Sequence, residues 1–124
     1  MDDVCKNLPL ILIAEDVDSN YLLFYYILKD NYQLIRAYNG QEAVELFQHH
    51  TPNLILMDIK MPRMDGYQAT AQIRKISTTV PIIAITACAF KEDKEKILTS
   101  GFNAYLSKPI NAILLKAVIE KFFK

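Results

Sequence analysis

Five side chains stand out because each sits at or just beyond the end of a short apolar run. Glu15 and Asp16 follow PLILIA, Asp58 follows NLILM, Thr86 closes VPIIAIT, and Lys108 comes shortly after NAYL. Brought together, the three carboxylates would repel strongly, since two unit charges ~4 Å apart cost about 4 kcal/mol at an effective dielectric near 20. Such a group must either take up a proton or hold a cation. A small set of hard oxygen ligands suits Mg²⁺, which keeps several waters and commonly bridges to a phosphate. The Lys108 amine can bind a phosphoryl oxygen and the Thr86 hydroxyl can donate to one. The chemistry this set could support is a carboxylate nucleophile receiving a phosphoryl group.

Positioning these groups requires elements that end at one edge. Residues 53–66 read NLILMDIKMPRMDG, and Leu54 to Met57 are apolar on both faces, the pattern of a central strand in a parallel sheet covered by helices. Pro62 and Gly66 break regular structure and make a loop beyond Asp58. In parallel α/β sheets ligands bind beyond the carboxyl ends of the strands. A carboxylate in that place either does chemistry or caps the next element, and the run alone leaves both open.

Residues 9–14 form a first strand, after which Asp18 and Ser19 offer N-cap oxygens to a helix running to about Lys29. Residues 33–37 (QLIRA) are a weaker, edge-like strand. Asn39-Gly40 turns the chain into a helix with Ala43, Val44 and Phe47 on its apolar stripe. A helix through Tyr67, Ala69, Ile73 and Ile76 follows Gly66, then a strand over 80–86, a charged helix over 91–98 and Gly101 as its C′ residue. A short strand over 103–106 and a last helix over 110–123 complete the chain. This β-α alternation predicts an α/β fold, a parallel sheet with right-handed crossovers and helices on both faces.

At 124 residues the chain is expected to form a single domain able to bury a core without disulfides. Its formal net charge of +0 and the lack of a basic helix argue against direct nucleic-acid binding. Cys5 and Cys88 make neither a disulfide framework nor a metal site, so a reducing, cytoplasmic setting is the default. The acidic, polar start MDDVCKN does not read as a secretory leader, and the nearly apolar stretch 21–28 is too short for membrane insertion. His49 and His50 are adjacent and therefore do not share a helix face; solvated helix-end positions are expected for both.

Glu15-Asp16, MDIKMPRMDG around Asp58, Thr86-Ala87 and Lys108-Pro109, in that order, resemble the receiver domain of two-component response regulators. The resemblance spans roughly residues 8–123, and the pattern Glu15, Asp16, Asn20 is similar to receivers within hybrid sensor histidine kinases. It implies a flavodoxin-like, doubly wound fold with five parallel strands in the order 2-1-3-4-5. It also implies Asp58 as phosphoacceptor, Asp16, Asp58 and the Lys60 carbonyl as direct Mg²⁺ ligands, and Glu15 acting through water. Thr86 would bond the aspartyl phosphate, Lys108 would pair with the phosphoryl group, Tyr105 would reorient with Thr86, and the bond to Pro109 would be cis. The resemblance implies a phosphoryl-accepting switch of a phosphorelay, cytoplasmic or on the cytoplasmic side, and not a turnover enzyme on an external substrate. Its donor would be a sensor histidine kinase or a histidine phosphotransfer domain. Where many members carry Asp, this chain has Glu15, whose longer stem alters its reach to the metal's waters.

Three other functions compete. An aspartyl-nucleophile phosphatase or mutase usually carries a second Asp two residues on, where this chain has Lys60. A receiver-like module that no longer takes phosphate would not be expected to keep Asp16, Asp58, Thr86 and Lys108 together. A flavodoxin-type cofactor binder would need a Gly-rich loop after the first strand, which is missing. For the first helix, Leu23, Phe24, Ile27 and Leu28 with Asn20 are expected to face the sheet. That leaves Tyr21, Leu22, Tyr25 and Tyr26 outward, expected as a docking face for the phosphodonor, with tyrosines lying flat on a monomer's surface as the alternative. The last helix is too apolar for one stripe, and the resemblance suggests an output contact or homodimer there. Lys60 and Cys88 are expected to tune the lifetime of the phosphoryl group.

Overall fold

The computed structural model describes residues 8–87 and 91–123, with Lys91 and Glu92 described only as part of a helix; Cys5 and Cys88, and the tuning role expected of Cys88, lie outside the described residues. Five strands form one sheet: β1 (Leu10–Ala14), β2 (Gln33–Ala37), β3 (Leu54–Asp58), β4 (Ile82–Thr86) and β5 (Ala104–Ser107). All neighbours are parallel and the order is β2-β1-β3-β4-β5, as expected. The intervening helices are α1 (Asp18–Leu28), α2 (Gly40–His50), α3 (Gly66–Ile76), α4 (Lys91–Thr99) and α5 (Ala112–Lys121).

Alternation along the strands divides the core into two layers. Leu12, Ile55, Met57, Ile82 and Ala84 pack with Ala43 and Phe47 of α2, Ala69 and Ile73 of α3, and Ile97 of α4. Ile11, Ile13, Leu54, Leu56, Ile83 and Ile85 pack with Phe24 and Leu28 of α1 and Leu115 and Ile119 of α5. The middle strands are buried throughout, which is why β3 and β4 read as unbroken apolar runs. The edge strand β2 is only partly covered.

Among the described helix starts, all but one follow local chemistry. Asn39 accepts from the Glu42 N–H, Asp65 and Gln68 form a reciprocal capping box, and Asn111 accepts from the Leu114 N–H. The expected capping by Asp18 or Ser19 does not occur. Val17 holds the N-cap position without a side-chain cap, and Asp18 lies inside the first turn with its carboxylate 2.8 Å from Arg36 Nη1. Several boundaries also shift by one or two residues, two of them for a local reason. β4 starts at Ile82, after Pro81, which has no N–H for the ladder, and α5 starts at Ala112, after its Asn111 cap. His49 and His50 are exposed in the last turn of α2, as expected.

The outer side of α1 corrects a second expectation. Leu23 is 44% exposed and faces sideways toward Pro109 and Ile110, not into the sheet. Tyr21, expected outside, is half-buried because the Arg36 guanidinium lies 4.7 Å over its ring. Leu22, Tyr25 and Tyr26 are exposed as expected. No described helix is long and apolar enough to cross a membrane.

The loop from β3 to α3 is closed by two glycines. The Gly66 N–H donates to the Ile59 carbonyl at 2.8 Å, and the Gly40 N–H donates to the Met64 carbonyl at 3.0 Å. A Cβ on Gly66 would lie 2.3 Å from the Asp58 carbonyl oxygen, and one on Gly40 would lie 2.1 Å from the Met64 oxygen. Both contacts are with backbone, which cannot swing aside. Gly66→Ala is therefore expected to cost about 1–3 kcal/mol, read as a lower urea midpoint with an unchanged slope.

Candidate functional site

The parallel sheet sends every strand's carboxyl end to one rim, and β1 and β3 are neighbours there, with Ala14 opposite Met57. The residues after those positions, Glu15 and Asp16 on one side and Asp58 on the other, must therefore meet. One carboxylate oxygen from each lies within 4.8 Å of the others. Glu15 and Asp58 are buried, at 1% and 5% exposure, whereas Asp16 is open to solvent. From β4, Thr86 is buried at the same rim, and its carbonyl accepts from the Lys108 N–H at 2.8 Å.

Lys108 is the counter-charge of the group. Its Nζ lies 2.8 Å from Asp58 Oδ2 and 3.3 Å from Glu15 Oε1. The second contact is an ion pair without hydrogen-bond geometry, so Oε1 stays buried with no donor. Glu15 Oε2 accepts from the Val17 N–H at 3.2 Å, and Asp58 Oδ1 accepts from the Lys60 N–H at 3.1 Å. Burial first, and then the charge of Asp58, push the Glu15 carboxyl up from 4.5 to about 7. Burial alone would lower the Lys108 ammonium. Its hydrogen bond and charge pairing with Asp58, and then Glu15, outweigh burial and hold it above its ordinary value.

A cavity of about 450 Å³ opens at this rim, with Glu15 outside its lining. Asp16, Asp58, Lys60, Thr86 and Lys108 all contribute to it, so most of the expected site residues are brought together. Tyr105 is not among them. It is half-buried further back on β5, with Lys94 Nζ 5.6 Å from its ring centroid. The Lys108–Pro109 bond is cis, as expected. The cavity also takes in Tyr67 of α3 and Asp93 and Lys96 of α4, which the sequence reading did not single out. Lys96 Nζ sits 4.3 Å over the Tyr67 ring. In the sequence, Asp93 and Lys96 are two of many alternating charges on a surface helix, and nothing local marks them.

The donor set fits a hard divalent cation. Three carboxylates converge, one ammonium is too little charge to balance them, and a buried Glu15 oxygen has no donor. Asp16, Asp58 and Glu15 are the residues able to hold such an ion.

The description "Response regulator receiver domain" matches residues 11–120. The chain belongs to the response regulator receiver family. Among relatives, the polar-differentiation response regulator DivK of Brucella anthropi is 40% identical over 104 residues, covering 82% of this chain and 85% of DivK. Among solved structures, the receiver domain of sensor histidine kinase PA1611 from Pseudomonas aeruginosa has a TM-score of 0.86 at 34% identity. The alignment covers 93% of this chain and 97% of that one, which carries a magnesium ion coordinated in its active site cleft. The receiver domain of Saccharomyces cerevisiae Ssk1, solved with the histidine phosphotransfer protein Ypd1, has a TM-score of 0.87 at 33% identity, with 93% and 88% covered. These matches include both response regulators and a kinase receiver, and do not single out the hybrid-kinase group. Receiver domains are switches of two-component signalling.

The raised Glu15 carboxyl gives this receiver a pH signature. Between about 4.5 and about 7 the folded chain binds more protons than the unfolded one, so stability from this group is full below 4.5 and is lost as pH rises through about 7. Thermal melts in EDTA should fall across that window. A divalent cation held by these carboxylates would compete with the proton, so Mg²⁺ affinity should climb over the same window and then level off. The check is a pair of titrations with Glu15→Gln, in which both trends should flatten.

Proposed function

We propose that this receiver takes a phosphoryl group from the phosphohistidine of a sensor kinase or phosphotransfer protein onto Asp58, with Mg²⁺ held by Asp16, Asp58 and the Lys60 carbonyl and Glu15 acting through water. One observation carries the reading: Asp58, buried at the rim, is held by Lys108 Nζ at 2.8 Å inside a converging carboxylate cluster. The magnesium seen in the PA1611 receiver and the Ypd1 partner of the Ssk1 receiver support the choice of metal and donor.

In this scheme an Asp58 carboxylate oxygen attacks phosphorus, and an O–P bond forms as the P–N bond to the imidazole breaks. The electron pair leaves with the ring nitrogen. When bound, Mg²⁺ supplies charge neutralisation for the phosphoryl oxygens and for the crowded carboxylates. Two contacts aim the acceptor beforehand, the Lys60 N–H on Oδ1 and Lys108 on Oδ2. As the phosphoryl group arrives, Lys108 passes from the carboxylate to a phosphoryl oxygen and Thr86 donates its hydroxyl to another. Residues 8–123 act as one receiver unit, and Tyr105 follows Thr86 toward the space beside α4 and α5.

The donor docks on the outer side of α1. Leu22, Tyr25 and Tyr26 are exposed, Tyr26 by 66%, with Tyr21 at their edge. Beside them, Leu23 opens a small cleft with Pro109 and Ile110 next to Lys108. An apolar, aromatic patch adjoining the acceptor's rim suits a helical bundle that must present its histidine there. Exposed Ile113 and Leu114 support a second contact through α5, with another copy or an output partner.

Incubation with Mg²⁺ and acetyl phosphate should produce an acid-stable, base-labile adduct of one phosphoryl mass on the wild type. Asp58→Asn should show none, and a wild type that never gains the adduct would overturn the assignment. Tyr25→Ala with Leu22→Ala should slow transfer from a phosphohistidine protein about fivefold or more while leaving the acetyl phosphate rate unchanged. Equal slowing with both donors would remove the docking role.

A further inference from the structure

Arg36 lies outside the cavity, yet one guanidinium reaches both ends of the turn that carries Asp16. Its Nε donates to the Glu15 carbonyl at 3.1 Å and its Nη1 pairs with Asp18 Oδ1 at 2.8 Å. The planar group lies over two rings, 4.7 Å from the Tyr21 centroid and 4.0 Å from the Tyr38 centroid. Asp16 itself is exposed, and no hydrogen bond from its own side chain fixes its turn among the described contacts. The turn is held from within by the Val17 N–H on Glu15 Oε2, and from outside by this residue of the neighbouring strand β2.

We infer that Arg36 is a positioning residue of the metal site: it holds the 15–18 turn so that Asp16 meets Asp58 and Glu15, and Tyr21 and Tyr38 hold Arg36. The inference rests on the metal-dependent reading given above. Stability alone is a poor reason for this residue. Nη2 is buried without a partner, which costs free energy, and an apolar side chain would fill the space between two rings without that cost. A lysine could not replace it, because a single ammonium cannot span the carbonyl, the carboxylate and both ring faces. The stack also joins the metal turn to the face of α1, since Tyr21 lies 6.3 Å from Tyr25 by ring centroid.

The test is Mg²⁺ affinity, followed by amide shifts near residues 16 and 58 in NMR titrations, beside melting temperature in EDTA. Arg36→Gln and Arg36→Lys should each weaken Mg²⁺ about 10-fold or more, the size seen when groups behind a metal ligand are lost. Tyr38→Ala removes an exposed ring and should weaken Mg²⁺ severalfold with little change in melting, whereas Tyr38→Phe keeps the ring face and should restore wild-type affinity. The inference is overturned if Arg36→Gln folds and binds Mg²⁺ like the wild type. It is also overturned if affinity falls only in proportion to melting temperature, or if Tyr38→Phe fails as Tyr38→Ala does. A wild type that binds no Mg²⁺ would instead sink the proposed function, and this inference with it.

Discussion

Like charges that the fold will not let separate are the constraint on which this structure depends. Glu15 and Asp16 follow β1 and Asp58 ends the neighbouring parallel strand β3, so their positions are set by the ladder between β1 and β3 and not by their own preferences. Lys108, delivered by β5 at the same rim, balances part of the charge and pairs chiefly with Asp58. The remainder shows in Glu15, whose carboxyl holds its proton to about 7 because it is buried beside Asp58. A cluster that stores repulsion in this way would be relieved by a small divalent cation reaching Asp16 from solvent.

Much of this was legible in the sequence, for physical reasons. Strands buried on both faces leave unbroken apolar runs, and β3 and β4 both carry them. Alternation of those runs with amphipathic helices allows few topologies, and the parallel order puts the polar residue after each run on one edge. The short-range signals at Asn39, Asp65 and Asn111 also held, because a cap needs only residues three positions away.

What the sequence did not show involves contacts across long separations. Asp18 looked like a cap, but its carboxylate is drawn to Arg36, and the helix starts without one. Tyr21 and Leu23 were assigned to the wrong sides of α1 because the stretch 21–28 is apolar all round, so periodicity carries no phase. Burial there is decided by two distant partners, the Arg36 guanidinium over Tyr21 and the Pro109–Ile110 segment beside Leu23. Gly40 read as an ordinary turn residue. Its second role, letting the backbone of Met64 approach, depends on the packing of α2 against the loop after Asp58.

The same contacts suggest how a change at Asp58 could reach the far side of the molecule. In this structure Lys108 is committed to Asp58 through its side chain and to Thr86 through its backbone N–H. A phosphoryl group on Asp58 would compete for the ammonium and for the Thr86 hydroxyl while leaving that backbone link intact, so the ends of β4 and β5 would move as a unit. Tyr105 lies three residues before Lys108, half-buried against α4, with Lys94 near its ring. A partner on that side feels the modification only if it binds the two arrangements of Tyr105 with different free energies. On the proposed function, the acidic rim would supply the driving force, and the packing around Tyr105 would set how much of it a partner could read.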